Sequence, residues 1–261
     1  MHVFLSPHYD DAVLSCGGTI HQLTQSGQAA QILTVMGGES AWIPDSPIIR
    51  EVHARWQAGD NPVPARRQED RLAADRLGAA AAHSSLPDCI YRAIERTNFP
   101  CYPTGEAIFG EIHPFDYAAT SRSIVSATLL RDATGVYAPL GAGHHVDHQI
   151  VRNFAIAMKR ENPSLALKFY EEYPYIRDIM AAQRALDILA AIAPDLQLER
   201  EIVELREGDV QAKVKAIACY QTQISSFWPD LGAMEQDVRQ TLTRTGDGLP
   251  AERYWRIVSS E

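Results

Sequence analysis

The first 36 residues alternate between two kinds of apolar pattern, and this alternation restricts the fold more than any other feature of the chain. Residues 2–6 form a short apolar run that predicts a buried strand, and residues 30–36 form a second one. Between them, residues 10–25 repeat apolar side chains at a spacing of three to four, as an amphipathic helix does. A strand, a helix and a strand in this order predict a parallel sheet with a right-handed crossover.

The same alternation continues to the end of the chain. We predict helices over residues 64–77, 116–132, 145–160, 179–192 and 209–225, and strands over residues 84–90, 135–140, 165–170, 196–205 and 252–258. Residues 39–63 lack a clear period and are longer than an ordinary loop, so we interpret them as either a lid or a region whose pattern is hidden. The sequence therefore predicts an α/β fold with a mostly parallel sheet, in one domain of residues 1–261 with a candidate insertion near residues 176–205.

Charge and hydropathy exclude several classes of function. The net charge is −9 with no cluster of Lys and Arg, so a polyanion would be repelled and nucleic acid is not an expected partner. No apolar stretch approaches the roughly 18 to 20 residues of a membrane span, and the N-terminus lacks the basic region of a secretory signal. We therefore expect a cytoplasmic protein with no integral membrane segment. The four cysteines show no C-x-x-C pair and no disulfide-like density, and most of them are expected to be buried.

Two polar clusters follow two of the predicted strands. The sequence P-H-Y-D-D at residues 7–11 comes directly after the first strand, and H-V-D-H at residues 145–148 comes shortly after the strand at 135–140. Because the carboxyl ends of parallel strands lie at one edge of the sheet, where ligands usually bind, the two clusters are expected to converge. No G-x-G-x-x-G motif follows the first strand, so a nicotinamide cofactor is not expected.

The residue types in these clusters are typical of a catalytic zinc site. Such a site uses three ligands drawn from His and carboxylate and leaves a fourth position for water, and His8, Asp11 and His148 supply that set. The same set would also accept iron, cobalt or manganese. Asp10 is left over as a candidate general base, although either aspartate alone could simply cap the helix. His145 is suited to donate a proton or a hydrogen bond, and Asp147 to orient a histidine.

A pair of glycines, Gly17 and Gly18, lies inside the first predicted helix. Each lowers helix stability by roughly 1 kcal/mol relative to alanine. We therefore expect the backbone or a ligand to approach the helix closely at this point.

These motifs resemble the PIG-L/LmbE-like family of zinc-dependent N-acetylglucosaminyl deacetylases, whose pattern is P-H-x-D-D, a trailing G-G and a late H-P-D-H. The similarity extends to R-x-x-E at residues 66–69, L-P-D at 86–88 and the segment 215–223. The resemblance implies a Rossmann-like three-layer α/β fold, with helices on both faces of the sheet. It also implies hydrolysis of an amide, usually an acetyl group on an amino sugar.

The resemblance assigns roles residue by residue. It makes His8, Asp11 and His148 zinc ligands, Asp10 the general base and His145 the group that polarises or protonates the substrate. It makes Arg66 and Asp88 sugar contacts. From the residues alone, Arg66 could equally pair with a carboxylate on its own helix, and Asp88 could be a turn residue after proline.

The sequence therefore predicts a zinc-dependent hydrolase that removes an N-acetyl or other acyl group from an amino sugar or glycoconjugate by metal-activated water. Two alternatives remain open at this point. One is an amidase that acts on a bulkier thiol or antibiotic conjugate, and the other is a sugar-binding protein without turnover. The sequence leaves the oligomeric state open, with a homo-oligomer among the alternatives.

Overall fold

A computed structural model describes residues 1–41, 43–44, 46–120 and 133–258. Seven strands are present in these ranges: β1 (His2–Ser6), β2 (Ala30–Thr34), β3 (Ala80–His83), β4 (Gly135–Pro139), β5 (Leu167–Tyr170), β6 (Gln197–Glu204) and β7 (Ala251–Val258). The α-helices of the same ranges are α1 (Asp11–Gln25), α2 (Pro47–Trp56), α3 (Val63–Arg76), α4 (Gly105–Ile108), α5 (Tyr117–Thr120), α6 (Val146–Glu161), α7 (Ala181–Ile192), α8 (Glu207–Ile217), α9 (Gln221–Phe227) and α10 (Leu231–Thr245). Short 3₁₀ turns cover Cys89–Tyr91 and Tyr175–Arg177.

The strands form one sheet in the order β3-β2-β1-β4-β5-β7-β6. The first five strands in this order are parallel to one another, whereas β7 is antiparallel to both β5 and β6. Strands β2 and β3 are added on one side of β1, and the later strands, beginning with β4, are added on its other side. The strand order therefore reverses between β1 and β4. This is the position at which open α/β sheets bind their ligands.

Helices cover both faces of the sheet. Alternate residues of β1 point to opposite faces, so Phe4 packs in one buried apolar cluster while Val3 and Leu5 pack in the other. The first cluster also contains side chains of α1, α3, α8 and α10, and the second contains side chains of α6 and α7. The predicted three-layer α/β fold is confirmed.

Several predicted elements differ from the structure. The strand predicted at 84–90 is wrong, since the strand is Ala80–His83, whose alanines have little β propensity. The helix predicted over 209–225 is interrupted, and Leu231–Thr245 is a helix that the prediction missed. Residues 39–63 contain the helix Pro47–Trp56. Of the helix predicted at 116–132, only Tyr117–Thr120 falls within the described residues.

The two glycines of α1 serve helix packing. A Cβ atom on Gly18 would lie 2.4 Å from Leu205 Cδ1, and one on Gly17 would lie 3.0 Å from Lys213 Cγ. Their neighbours are therefore protein side chains, and the close approach expected at this point brings α8 and the end of β6 against α1.

Two further expectations concern membranes and cysteines. Within the part of the chain that the structure describes, no helix is both long and apolar enough to cross a bilayer. Cys16, Cys89 and Cys101 are buried, Cys219 is half-buried, and all four are free thiols, as expected.

Candidate active site

The two polar clusters meet at the carboxyl edge of the sheet. His8 follows β1 directly, and His145 and His148 lie at the beginning of α6, which follows β4. The ring centroid of His8 is 4.8 Å from that of His145 and 5.5 Å from that of His148. One ring nitrogen of each histidine lies within 4.8 Å of the others, so the three imidazoles surround one small volume.

Asp11 lies between two of these histidines. Its Oδ2 atom is 3.2 Å from His8 Nδ1 and 3.3 Å from His148 Nε2, and it accepts a hydrogen bond from the His8 backbone N–H at 2.8 Å. Burial raises the pKa of Asp11, but His148 and His8 outweigh that effect and hold the pKa well below its ordinary value. Asp11 is therefore a carboxylate that points at both rings.

His148 is fully buried, and only one of its two ring nitrogens makes a hydrogen bond within the described residues. Its Nδ1 atom lies 3.2 Å from Glu172 Oε1, and because a carboxylate accepts, this nitrogen is the donor. Its Nε2 atom has no hydrogen-bond partner among the described residues. A buried polar atom without a partner costs free energy, and a cation beside Asp11 would supply one.

The ring of His8, like that of His148, is oriented by a buried carboxylate. Its Nε2 atom lies 2.9 Å from Asp147 Oδ2, which leaves Nδ1 directed at Asp11. Burial lowers the pKa of His8, but Asp88, Asp11 and Asp147 raise it well above the ordinary value. In the same way Asp11 and Glu172 overcome burial and raise the pKa of His148 to about 9.

These observations test whether the site fits a divalent cation. The surrounding carboxylates raise the pKa of both His8 and His148, so the charge around these two rings favours a cation. Metal binding to histidine competes with protons for the same ring nitrogens. Two imidazole nitrogens and one carboxylate oxygen form a ligand set typical of catalytic zinc. The residues fit the metal.

His145 differs from the other two histidines in its hydrogen bonding. Its Nδ1 atom accepts a hydrogen bond from the Asp147 backbone N–H at 3.2 Å, so the neutral ring carries its proton on Nε2. Burial lowers the pKa of His145 well below its ordinary value, and the neighbouring His8 adds to this effect. His145 is therefore a neutral donor at the site, whereas a ligand would present a free lone pair.

Asp10 is buried beside His8 and Asp11. Within the described residues its side chain makes no capping hydrogen bond to α1, so the capping alternative is not observed. Its Oδ1 atom is 3.8 Å from Arg66 Nη2. Burial raises the pKa of Asp10 to about 6, with a further contribution from Asp11. A carboxylate with a raised pKa is suited to accept a proton near neutral pH.

The structure brings Arg66 and Asp88 to the same site. The guanidinium group of Arg66 is stacked 4.2 Å from the ring of Trp56 and lies 3.9 Å from Asp88 Oδ2. The intrahelical pair considered for Arg66 is not observed. Asp88 Oδ2 is 3.7 Å from His8 Nε2. Its Oδ1 accepts from the Ile90 N–H, so Asp88 caps a turn and faces the site at once.

Asp147 is completely buried behind the histidines. One of its oxygens accepts from His8 Nε2 and from the Cys89 backbone N–H at 3.0 Å, and the other accepts from Arg92 at 2.6 Å. Arg92 also donates to Asp116. These contacts fix the orientation of the His8 ring from a rigid ionic network.

The prediction missed several residues that form the site. They are Trp56, Arg92, Glu172 and Tyr175. A signal was available for Glu172, because a pair of glutamates directly follows the apolar strand at 165–170, next to β4 in the sheet. Arg92 and Trp56 lie in irregular or weakly patterned segments, where the sequence carries no comparable signal.

Comparisons with known proteins agree on one family. A family model described as PIG-L: GlcNAc-PI de-N-acetylase matches residues 3–159. A 2'-N-acetylparomamine deacetylase from Niallia circulans is 27% identical over 269 residues, which cover 97% of this chain and 89% of that protein. A protein of the same name from Streptomyces fradiae is 28% identical over 258 residues, covering 97% and 80%.

A solved structure of a similar protein has the same fold. The crystal structure of an A40926 pseudoaglycone deacetylase superimposes with a TM-score of 0.74 at 27% identity, and the match covers 100% of this chain and 98% of that one. The family model spans more than half of the chain and includes both histidine clusters. The chain belongs to the PIG-L family of de-N-acetylases.

Proposed function

We propose that the protein is a metal-dependent hydrolase that removes the N-acetyl group from an amino sugar or a glycoconjugate. The observation that carries this proposal is the convergence of His8, Asp11 and His148, with a buried ring nitrogen of His148 that lies 3.3 Å from Asp11 but makes no hydrogen bond within the described residues. Zinc is the metal proposed first, because two histidines and one carboxylate with an open position form its usual catalytic set.

The metal would be held by His8, Asp11 and His148. When bound, a divalent cation lowers the pKa of water and polarises the amide carbonyl. Asp10 accepts the proton that water loses during attack, for which its raised pKa is suited. His145 donates a hydrogen bond from Nε2 to the carbonyl oxygen, and the proton that Asp10 has accepted from water passes to the departing amine. Asp147 and Glu172 hold the rings of His8 and His148 in the required tautomers.

Arg66 and Asp88 are proposed as substrate contacts. Arg66 lies 3.8 Å from Asp10 and Asp88 lies 3.7 Å from His8, and each offers groups that hydrogen-bond sugar hydroxyls. The stacking on Trp56 holds the guanidinium group in one plane, which favours directed hydrogen bonds.

The relatives favour a sugar that is part of a larger molecule. The curated relatives are named for N-acetylparomamine and the solved structure for a pseudoaglycone. An amidase acting on an antibiotic conjugate is therefore the second candidate. A sugar-binding protein without turnover is disfavoured, because binding alone needs no buried carboxylate of raised pKa beside the ligand set. We keep the cytoplasm as the proposed location.

Amine release tests the proposed function. Purified protein loaded with zinc is incubated with N-acetylglucosamine, N-acetylparomamine and N-acetylated glycopeptide pseudoaglycones, and free amine and acetate are measured together. We expect equimolar amine and acetate from at least one of them. Protein that takes up no divalent metal and releases no product from any of these compounds would refute the proposal.

A further inference from the structure

An exposed aromatic ring lies next to the candidate active site. Phe109 follows α4 directly, and its ring makes an edge contact with that of His145, at 5.3 Å between centroids. A second edge contact joins Phe109 to Tyr175 at 6.1 Å. Despite both contacts Phe109 is 43% exposed, whereas His145 is only 7% exposed. Phe109 therefore lies at the boundary between the buried histidines and solvent.

The segment that carries Phe109 is held against α6. Gln149 of α6 is buried, and its side-chain amide donates to the Gly110 carbonyl at 2.8 Å and to the His144 carbonyl at 2.7 Å. One amide group thus joins the residue after Phe109 to the residue before His145. The ring is positioned before any ligand binds, which reduces the entropic cost of a contact with it.

The proposed reacting groups are buried more deeply than Phe109. Asp10, Asp11 and His148 are each at most 6% exposed, so the acetyl group has to enter the buried part of the site to reach them. Arg66, the proposed sugar contact, is also buried. A group attached to the amino sugar is therefore the part of a substrate that extends to the rim of the site, where Phe109 lies.

The chemistry of the phenyl ring restricts what it contacts at the rim. The face of an aromatic ring carries partial negative charge, which attracts C–H groups, and burial of its apolar surface is favourable. Saturated sugar and cyclitol rings present C–H groups on their faces. Arg66 and Asp88 offer hydrogen bonds to the hydroxyls of an amino sugar, whereas Phe109 offers an apolar surface to a neighbouring ring.

We propose that Phe109 is a specificity-determining residue, whose exposed ring packs against a second ring attached to the amino sugar. This inference rests on the proposed function and names its substrate class, an N-acetylated amino sugar joined to another saturated ring. The contact forms equally in the ground state and in the transition state, so it acts on KM and leaves kcat unchanged.

Two substrates that differ by the second ring test the inference. N-acetylglucosamine has one ring, and N-acetylparomamine has a cyclitol ring attached to the N-acetylated sugar. Wild-type protein should have the lower KM for N-acetylparomamine. In Phe109→Ala this KM should rise about tenfold, as expected for the loss of one aromatic contact and its buried apolar area. The KM for N-acetylglucosamine, both kcat values and the metal content should stay within twofold of wild type.

Three controls isolate the contact. Phe115→Ala removes another exposed ring of the same segment, one that contacts His113, and should leave both KM values unchanged. Phe109→Tyr keeps the ring and should keep the wild-type KM values. N-butanoylglucosamine has one ring and a longer acyl group, and Phe109→Ala should change its KM no more than that of N-acetylglucosamine.

The outcomes separate the inference from the proposed function. The inference alone is overturned if Phe109→Ala leaves the KM for N-acetylparomamine within twofold of wild type, or changes both substrates equally, as a disturbed His145 would. A larger effect on N-butanoylglucosamine also overturns it, because the ring would then face the acyl group. So does wild-type protein that hydrolyses other N-acetylated substrates but not N-acetylparomamine. Wild-type protein that releases no amine from any of these substrates overturns both.

Discussion

Two buried clusters of charged side chains in the described part of the chain differ in how completely their polar atoms are paired. Lys213 and Glu252 lie between α1 and β7, with 2% and 3% of their surfaces exposed. Lys213 Nζ donates to Glu252 at 2.6 Å and to the Ser15 carbonyl at 3.1 Å. The remaining acceptor positions of Glu252 are filled by two backbone N–H groups of α1 and by the Tyr254 hydroxyl.

The candidate active site is equally buried but incompletely paired. Among the described residues, His148 Nε2 and Arg66 Nε make no hydrogen bond, and His148 Nε2 has only the Asp11 carboxylate nearby, at 3.3 Å. Charges that are fully satisfied by the protein stabilise one packing arrangement and leave nothing for a ligand. Charges that are left partly unsatisfied are available to a metal and a substrate. Loss of a residue should therefore affect stability in the first cluster and turnover in the second.

The largest effect is expected for Asp10→Asn. This change keeps the shape of the side chain and removes the proton acceptor, so turnover should fall by about 10²- to 10⁴-fold. The metal content and the unfolding midpoint should stay at their wild-type values, because Asp10 is not one of the three proposed ligands. Steady-state amine release and metal analysis of the same samples measure both. Turnover near the wild-type value would remove Asp10 from the role of base.

In the cluster of Lys213 and Glu252, the substitution Glu252→Ala should lower the free energy of unfolding. Removal of one partner leaves Lys213 charged and buried, which costs about 3–5 kcal/mol. Urea unfolding measures the loss, with Glu235→Ala as the control, because the pair of Glu235 with Arg239 is exposed and worth at most about 1 kcal/mol. Folded Glu252→Ala protein should keep its turnover per bound metal. Equal unfolding free energies for the two variants would contradict the contrast between the clusters.

A smaller effect is expected where Glu172 meets His148. Glu172→Gln keeps the size of the side chain but weakens the acceptor for His148 Nδ1, so metal affinity should fall about 10- to 100-fold. Competition with a coloured chelator measures the change. Glu171→Gln is the control, since Glu171 is also buried but bonds Arg253 and Trp255 away from the histidines. A similar loss of affinity in both variants would show that the effect is general and does not act through His148.

The sequence predicted the parts of the site that are local. The candidate ligands, base and donor occur in two short motifs, one directly after β1 and one shortly after β4, so topology alone brings them together. Glu172 had a signal in the pair of glutamates that follows β5, whereas no local pattern encodes the contacts of Tyr175 with residues 143 and 148. The missed helix Leu231–Thr245 is different, since Met234, Val238 and Leu242 at a spacing of four are a readable helical signal.

The strands also divide into those that a local sequence pattern predicts and those that depend on tertiary contacts. Strands β1, β2, β4 and β5 were predicted from their apolar runs, because parallel strands in the middle of a sheet are buried on both faces. Strand β3 lies at the edge of the sheet and consists of three alanines and a histidine. Its pairing with β2 overrides a weak propensity, which is an effect of tertiary structure.

Direct measurement of metal binding tests the central claim that His8, Asp11 and His148 hold one divalent cation. Protein stripped with a chelator is titrated with zinc by calorimetry, in parallel with His148→Ala and with His21→Ala, a histidine that pairs with Asp209 away from the site. The account predicts one tightly bound zinc per chain, with proton release, in the wild-type protein and in His21→Ala, and loss of this binding in a folded His148→Ala protein. Absence of a tight site in the wild-type protein, or unchanged binding in His148→Ala, would contradict it.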